Sequence, residues 1–201
     1  MHVIGIVGGV ASGKSLVAEQ FRRLGAVVLS ADALGHEVLR QPDVKQAIQS
    51  RWGSAVFDKQ GEVDRAAVAD IVFASTPEAA KERAFLEQLT HGRIGRRLQE
   101  AIDERVRGGD TDVVVVDAAL LFESGWHNLC TKTVFVDAPR ELRLARAKHR
   151  GWSDAEFSAR EAAQDSLERK RALSDVVIDN SGAPEATGDR IRRFWQTLVS
   201  Q

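Results

Sequence analysis

Gly8-Gly9-Val10-Ala11-Ser12-Gly13-Lys14-Ser15 fits the phosphate-binding loop pattern GxxxxGK(S/T) at every position. In such a loop the glycines let successive backbone N–H groups turn inward around a polyphosphate. The lysine adds positive charge at the outer phosphates, and the last hydroxyl reaches a magnesium ion. The stretch therefore predicts a nucleoside triphosphate site in which Lys14 serves the phosphates and Ser15 serves the metal.

The residues on both sides of the loop support this prediction. Residues 2–7 form a short β-branched run typical of a buried strand, and apolar residues recur at helical spacing from Leu16 to Leu24 before Gly25 ends the pattern. A helix that starts at the loop directs its N-terminal dipole at the phosphates. This order of strand, loop and helix disfavours the alternative, a glycine-rich turn in an ordinary α/β unit.

Four further runs predict the rest of a sheet. They are apolar almost throughout rather than alternating, which suits a parallel sheet covered on both faces. The runs lie at residues 26–29, 113–116, 133–136 and 176–178, and helical patterns lie at 139–149, 153–171 and 184–198. The predicted fold class is α/β, with a doubly wound, mostly parallel, five-stranded sheet.

Two stretches are predicted to be additions to this core within one domain. The first is mainly helical and long for a crossover, and the second is densely charged and contains the capping-box pattern Ser153-Asp154-Ala155-Glu156. The predicted parts are a nucleotide core at about 1–39, 108–140 and 171–201, a helical lobe at about 40–107 and a lid at about 141–170.

Composition excludes several classes of protein. The chain has 201 residues, a formal net charge of −1 and one cysteine, Cys130. No intramolecular disulfide or all-cysteine metal site can form, and the charge argues against a broad nucleic-acid surface. We find neither a leader pattern nor an apolar stretch long enough to span a membrane, so we expect a cytoplasmic protein with no membrane partner.

Three carboxylates lie at the ends of predicted strands, where ligands of open α/β sheets bind, and we expect two of them to serve the site. Asp32 follows the second strand and could accept a proton from, or orient, a hydroxyl that attacks the γ-phosphate; its alternative role is a helix N-cap. Asp117 ends the run of four valines in the manner of a Walker B aspartate that holds magnesium. Asp137 ends the next strand, but Pro139 follows so closely that we interpret it as a helix-entry residue.

The arginines of the second addition, Arg143, Arg146, Arg150 and Arg160, fit either a solvated helix face or a lid over the triphosphate. A lid would compensate the charge of the transferred phosphoryl group and exclude water. Arg146 and Arg150, four apart on one helical face, favour the lid.

The segment Asn180-Ser181-Gly182 ends the last predicted strand. It fits either a turn that lines the adenine or ordinary turn chemistry, and the pattern alone does not choose between them.

Several short motifs, taken in order and spacing, resemble the dephospho-coenzyme A kinase family over nearly the whole chain. The phosphate loop alone would not single that family out. The motifs are Gly61-Glu62-Val63-Asp64-Arg65, Val72-Phe73, Leu89-Thr90-His91, Leu120-Leu121-Phe122-Glu123, Arg146, Arg150, Arg160, Gln164 and Ile178-Asp179-Asn180-Ser181-Gly182.

The resemblance implies a P-loop kinase with a nucleotide core, a helical lobe for the coenzyme A moiety and an arginine lid. The implied reaction transfers the γ-phosphoryl group of ATP to the ribose 3′-hydroxyl of dephospho-coenzyme A, with Mg²⁺ required. The implied roles are Asp32 as the base, Lys14 and Ser15 for phosphates and metal, Arg146 and Arg150 in the lid, His91 and Leu120 as substrate contacts, and Asn180 with Gly182 as the adenine turn.

Three positions depart from the family's pattern. The chain has Ser30-Ala31-Asp32 where aspartate-alanine-aspartate is common, Gly92 where a proline usually follows the histidine, and Ala119 where a proline usually precedes the paired leucines. The last two exchanges give a freer backbone beside the expected acceptor pocket.

Two other functions stay open from the residues alone. One is a P-loop kinase acting on another small hydroxyl acceptor, such as a nucleoside monophosphate. The other is a regulatory nucleotide-binding protein without turnover. A guanine-specific switch is disfavoured, because the last strand leads into Asp179-Asn180-Ser181-Gly182 rather than Asn-Lys-x-Asp.

Overall fold

The computed structural model describes residues 1–74, 76–109 and 111–200. Within these residues, five strands form one sheet: β1 His2–Gly8, β2 Val27–Ser30, β3 Val113–Asp117, β4 Lys132–Asp137 and β5 Val176–Asp179. The α-helices are α1 Lys14–Arg23, α2 Ala31–Leu39, α3 Pro42–Trp52, α4 Arg65–Val72, α5 Ala79–Gly108, α6 Arg140–His149, α7 Asp154–Ala162, α8 Leu167–Ala172 and α9 Pro184–Val199. Short 3₁₀ helices occur at Ser54–Val56 and Trp126–Leu129.

The strands are all parallel and lie in the order β2-β3-β1-β4-β5. This confirms the predicted α/β class. The strand that leads into the phosphate loop is central, and its register places Ile6 beside Asp117, which in turn lies beside Ser30 on β2. The carboxyl ends of β1, β2 and β3 therefore meet at one edge of the sheet.

Helices α1 and α9 cover the strands through a shared apolar cluster. Ile4, Ile6 and Phe21 are fully buried in it. The ring of Phe21 meets that of Phe194 edge to face, with centroids 6.2 Å apart. Burial on both faces explains why these strands show continuous apolar runs rather than alternation.

The predicted single helix at 153–171 is two helices, α7 and α8. The capping box at Ser153 is present and begins α7. A second cap, Ser166, accepts a hydrogen bond from the backbone N–H of Arg169 and begins α8. Serine competes with helical hydrogen bonding in a helix interior but is favoured at an N-cap, which explains the break.

The chain divides into two compact units, Met1–Ala31 with Leu98–Gln201, and Asp32–Arg97. The second unit overlaps most of the helical lobe predicted at about 40–107. The assignment of core, lobe and lid to separate tasks stays a prediction. None of the described helices is both long and apolar enough to cross a membrane.

Inside the second unit, Glu82 of α5 joins α3 to α5. Its carboxylate accepts from Arg51 at 2.6 and 2.9 Å and from the indole N–H of Trp52 at 2.7 Å. The Trp52 ring also meets Phe85 edge to face, with centroids 5.4 Å apart. These hydrogen bonds lower the pKa of Glu82 to about 2, and the bonds from Arg51 contribute more than the bond from Trp52.

We expect this carboxylate to make stability depend on pH. A pKa lowered on folding contributes stability that is complete above the ordinary value of 4.5 and is lost as the pH falls towards about 2. Urea unfolding measured across that window will show a smaller loss for Glu82→Gln than for the unmodified chain. Glu100→Gln, an exposed change on the same helix, is the control and retains the full loss. An equal pH dependence in both variants would contradict the assignment.

Candidate functional site

The phosphate loop occupies the turn between β1 and α1, as its pattern predicts. Gly13 has a φ of 95° and caps α1, whose first residues are Lys14 and Ser15. A Cβ on Gly13 would lie 2.1 Å from Nδ2 of Asn180, and one on Gly8 would lie 2.6 Å from Oγ of Ser12. Both glycines are therefore required by close packing, because a side chain at either position would collide with the neighbours that shape the loop.

Asn180 holds the loop from the end of β5. Its Nδ2 donates to the carbonyl of Ser12 at 2.7 Å, and its Oδ1 accepts from the hydroxyl of Thr187 at 2.9 Å. Its backbone N–H donates to the carbonyl of Asp137 at 2.7 Å, and the residue is 1% exposed. The side chain thus braces the loop. The predicted contact of Asn180 and exposed Gly182 with the adenine stays a prediction. Because the Asn180 side chain is engaged in the loop, the backbone of this turn would have to make that contact.

Arg146 of α6 reaches the same part of the loop. Its Nη1 donates to the carbonyl of Ser12 at 3.0 Å and its Nη2 to the carbonyl of Asn180 at 2.9 Å. Burial, and secondarily the charge of Arg150, lowers the pKa of Arg146 from its ordinary value. Arg150 follows α6 as its C-cap and is exposed. Arg146 therefore brings positive charge to the loop, unlike a residue on a solvated helix face.

Arg143 and Arg160 also make contacts that a freely solvated arginine would lack. Arg143 is 2% exposed and binds the carbonyl of Val10 in the loop at 3.2 Å. The guanidinium of Arg160 lies 4.4 Å from the centre of the Trp152 ring. The charge pattern of the sequence did not distinguish buried Arg143, or half-buried Arg160, from solvated arginines.

Oxygen donors suited to magnesium lie near the loop. Asp117 is half-buried at the end of β3, and Ser15 is exposed in the first turn of α1. Mg²⁺ usually keeps several waters and is held by one or two carboxylates together with substrate phosphates. Among the described residues, no group of three or more His, Cys, Asp or Glu side chains could hold a metal. This donor set fits a magnesium ion that arrives with a nucleotide.

Asp32 lies in the first turn of α2, one residue after the helix begins, and is exposed. It is inside the helix rather than before it, so the N-cap alternative does not describe it. The partial positive charge at a helix N-terminus stabilises an ionised carboxylate there. The two predicted substrate contacts are half-buried: His91 lies in α5, and Leu120 lies in the turn after β3.

Lys170 is a buried cation that the sequence did not reveal. It is 0% exposed, and its Nζ donates to the carbonyl of Ala119 at 2.9 Å, to Oε1 of Gln164 at 2.9 Å and to Oε1 of Glu123 at 2.8 Å. The same Glu123 oxygen accepts from the backbone N–H of Asp165 at 3.0 Å. Lys170 thereby ties the turn after β3 to the segment that leads into α8. Within the sequence it is one charge among several in α8, so no pattern marks it.

We expect Lys170→Met to be strongly destabilising. The change leaves the Glu123 carboxylate buried without its counter-charge, which costs about 3 to 5 kcal/mol. Thermal unfolding will show a Tm lower by roughly 10 °C. Arg171→Met is the control. Arg171 is also in α8, but its ion pair with Asp137 of β4 is more exposed, so its loss costs less than about 1 kcal/mol. Equal Tm changes in the two variants would contradict the prediction.

Comparison with known proteins identifies a family that matches most of the chain. A family model described as dephospho-CoA kinase matches residues 2–185. A dephospho-CoA kinase of Aquifex aeolicus is 36% identical over 201 residues, covering 99% of this chain and 98% of that protein. One from Geobacter sulfurreducens is 39% identical over 197 residues, covering 97% and 98%.

Solved structures agree in fold. A crystal structure of a protein from Thermus thermophilus gives a TM-score of 0.78 at 34% identity, covering 98% of this chain and 97% of that one. A shikimate kinase from Acinetobacter baumannii gives a TM-score of 0.56 at 14% identity, covering 100% and 94%, and is alike in fold alone.

Proposed function

This chain belongs to the dephospho-CoA kinase family, and from that premise we propose that it transfers the γ-phosphoryl group of ATP to the ribose 3′-hydroxyl of dephospho-CoA. The products are coenzyme A and ADP, so the reaction completes coenzyme A synthesis. The family match over residues 2–185, which spans the phosphate loop and all the proposed site residues, carries the proposal.

The reaction exchanges one phosphorus–oxygen bond for another. The 3′-hydroxyl oxygen attacks the γ-phosphorus, the bond from that phosphorus to the β–γ bridging oxygen breaks, and ADP leaves. The hydroxyl proton passes to the carboxylate of Asp32, which orients the hydroxyl before attack. Catalysis of such transfers depends mainly on positioning the reactants and stabilising the charge of the transition state. The groups around the phosphates therefore contribute most of the rate enhancement.

In this proposal the phosphate loop and the lid both bind the phosphates of the nucleotide. The backbone from Gly8 to Gly13 surrounds the phosphates, Lys14 neutralises the outer ones, and Arg146 and Arg150 compensate the charge of the transferred group. The position of Arg146, whose guanidinium already binds the carbonyl of Ser12, supports this assignment. Asn180 and Gly182 form the adenine turn, and His91 and Leu120 contact the acceptor.

Ser15 and Asp117 would hold magnesium, the first directly and the second directly or through water. When bound, the metal neutralises charge on the β- and γ-phosphates. Residue chemistry alone supports this assignment, because a hydroxyl and a carboxylate are hard oxygen ligands.

The proposed setting is the cytoplasm. A chain whose single cysteine, Cys130, is half-buried and cannot form an intramolecular disulfide suits a reducing compartment. Burial raises the pKa of its thiol to about 12, so the thiol is not a reactive group at neutral pH. No membrane or nucleic-acid partner enters the proposal.

A coupled assay with ATP, Mg²⁺ and dephospho-CoA tests the proposed function. We expect ADP formation that depends on dephospho-CoA, with the phosphate placed on the 3′-oxygen by ¹H–³¹P correlation NMR of the product. A panel of nucleoside monophosphates and other hydroxyl acceptors tests the rival kinase activity, and faster turnover of one of those would replace the proposed acceptor. Tight ATP binding without transfer to any acceptor would indicate a regulatory protein.

A further inference from the structure

Arg143 is a buried charge beside the phosphate loop. Its Nε donates to the carbonyl of Ala138 at 3.1 Å, and its Nη1 donates to the carbonyl of Val10 at 3.2 Å. Nη1 also lies 2.6 Å from Oε1 of Glu161, a residue of α7. Burying a charge is costly unless it is paired and hydrogen-bonded. Both conditions are met here, and one of the partners is the backbone of the loop itself.

The carbonyl that Arg143 binds belongs to a strained turn. The backbone N–H of Ser12 donates to the carbonyl of Gly9 at 3.1 Å, which closes a four-residue turn. The third residue of this turn is Ala11, with a φ of 58°. A positive φ at the third position is typical of a type II turn, which ordinarily has glycine there. A residue with a Cβ is strained in this region, so the turn needs support from outside.

The peptide between Val10 and Ala11 decides the type of this turn. Turning that peptide over changes ψ of the second residue and φ of the third, which are the angles that separate type II from type I. Because a trans peptide is planar, its N–H points away from its C=O. A bond that holds the carbonyl of Val10 therefore also fixes the direction of the N–H of Ala11.

We propose that Arg143 is a positioning residue that keeps the Val10–Ala11 peptide in its strained orientation, with Glu161 holding the guanidinium in place. Arg143 acts through the carbonyl of Val10 and touches no substrate. The inference rests on the proposed function, because the use of this loop for a nucleotide is part of that proposal. It adds a link between helix α7 and the shape of the nucleotide site.

Packing alone is the competing explanation, and Arg140 provides a matched control for it. Both guanidiniums bind Glu161, and they lie 5.3 Å (Arg140) and 5.6 Å (Arg143) from the centre of the Phe157 ring. The side chain of Arg140 is 53% exposed, and within the described residues it makes no hydrogen bond to the loop. Loss of Arg140 thus removes the more exposed of the two ion pairs to Glu161 and a similar ring contact without releasing Val10. A glycine rescue variant then separates strain in the loop from loss of a buried pair.

The test measures ATP affinity by calorimetry, steady-state kinetics, and hydrogen exchange of the loop amides in the free protein. We expect Arg143→Met to raise the Kd for ATP about tenfold, a loss of about 1.4 kcal/mol, to speed exchange in the loop and to leave the KM for dephospho-CoA unchanged. Arg140→Met will change the ATP Kd far less. Adding Ala11→Gly to Arg143→Met will restore most of the affinity, because glycine adopts a positive φ without strain.

Equal effects of Arg143→Met and Arg140→Met, or no rescue by Ala11→Gly, would overturn the inference. If circular dichroism shows that Arg143→Met does not fold, Glu161→Gln and Arg143→Lys replace it. We expect each to raise the Kd for ATP by a smaller factor. An unchanged Kd for ATP in these variants would count against the inference. Absence of ATP binding by the unmodified protein would overturn the proposed function instead. Hydrogen exchange in the free protein would then decide the role of Arg143, with unchanged exchange in Arg143→Met overturning it.

Discussion

Asp32→Asn will lower kcat for dephospho-CoA phosphorylation by about 10²- to 10⁴-fold, the contribution usual for a positioned acid or base. Asparagine keeps the shape of the side chain but cannot accept the hydroxyl proton. Because the proposed role of Asp32 is to act on the acceptor, we expect the Kd for ATP to stay nearly unchanged. The measurement is steady-state turnover together with an ATP titration of the same preparation.

Asp43→Asn is the matched control for this prediction. Asp43 is also an exposed aspartate in the first turn of a helix, α3, and lies in the same unit. Loss of a carboxylate from a helix N-terminus weakens both helices, and Asp43→Asn also removes an ion pair with Arg93 at 2.6 Å. A smaller kcat effect in Asp43→Asn would therefore not come from a milder structural change. A kcat loss that is equally small in the two variants would show that Asp32 serves only its helix and would remove it from the mechanism.

Arg146→Ala will reduce turnover by about 10²-fold or more, and far more than it reduces ATP affinity. A charge that acts on the transferring phosphoryl group contributes most in the transition state, so its loss falls mainly on kcat. The comparison requires kcat from steady-state kinetics, the rate constant of phosphoryl transfer from single-turnover kinetics, and the Kd for ATP from calorimetry. A weaker ATP affinity with an unchanged kcat would mean that Arg146 only holds the nucleotide.

The two carbonyl bonds of Arg146 call for a second variant. Arg146→Lys keeps the positive charge but cannot span the carbonyls of Ser12 and Asn180, because an ammonium lacks the planar fork of a guanidinium. We expect it to recover part of the lost turnover. Recovery of all of it would show that charge alone matters, and recovery of none would show that the loop geometry matters more.

The sequence predicted the phosphate loop and the sheet because both depend on local patterns. The spacing from Gly8 to Ser15 sets the loop, and continuous apolar runs set strands buried on both faces. The split between α7 and α8 could also have been found, since Ser166 is a normal N-cap residue.

The supports of the loop could not be predicted in the same way. Arg143 and Val10 are 133 residues apart, and Arg146 and Ser12 are 134 apart. In a helix rich in charge, a buried arginine and a solvated one give the same pattern. The ion pair of Lys170 and Glu123 also joins residues far apart in the sequence, so no local pattern indicates it. Each charge is stable inside the protein only because the other is there.

The exchange at Ala119 also has a different meaning in the structure. A proline would fix the backbone before the paired leucines, and the sequence suggested that alanine leaves it free. Lys170 instead holds the carbonyl of Ala119 by a hydrogen bond of 2.9 Å. Gly92 lies inside the continuous helix α5, so helical backbone hydrogen bonds hold it although a Cβ there would meet nothing within 4 Å.

The central position of β1 bears on how the protein is made. Translation delivers β1 and the phosphate loop well before the strands that flank β1, which begin at Val113 and Lys132. The side chains that brace the loop come later still, at positions 143, 146 and 180. At about 5 to 20 residues per second, this delay lasts many seconds on the ribosome. The segment emerges before the parts that give it structure, so the apolar residues 3–7 must be kept from aggregating until most of the chain has been synthesised.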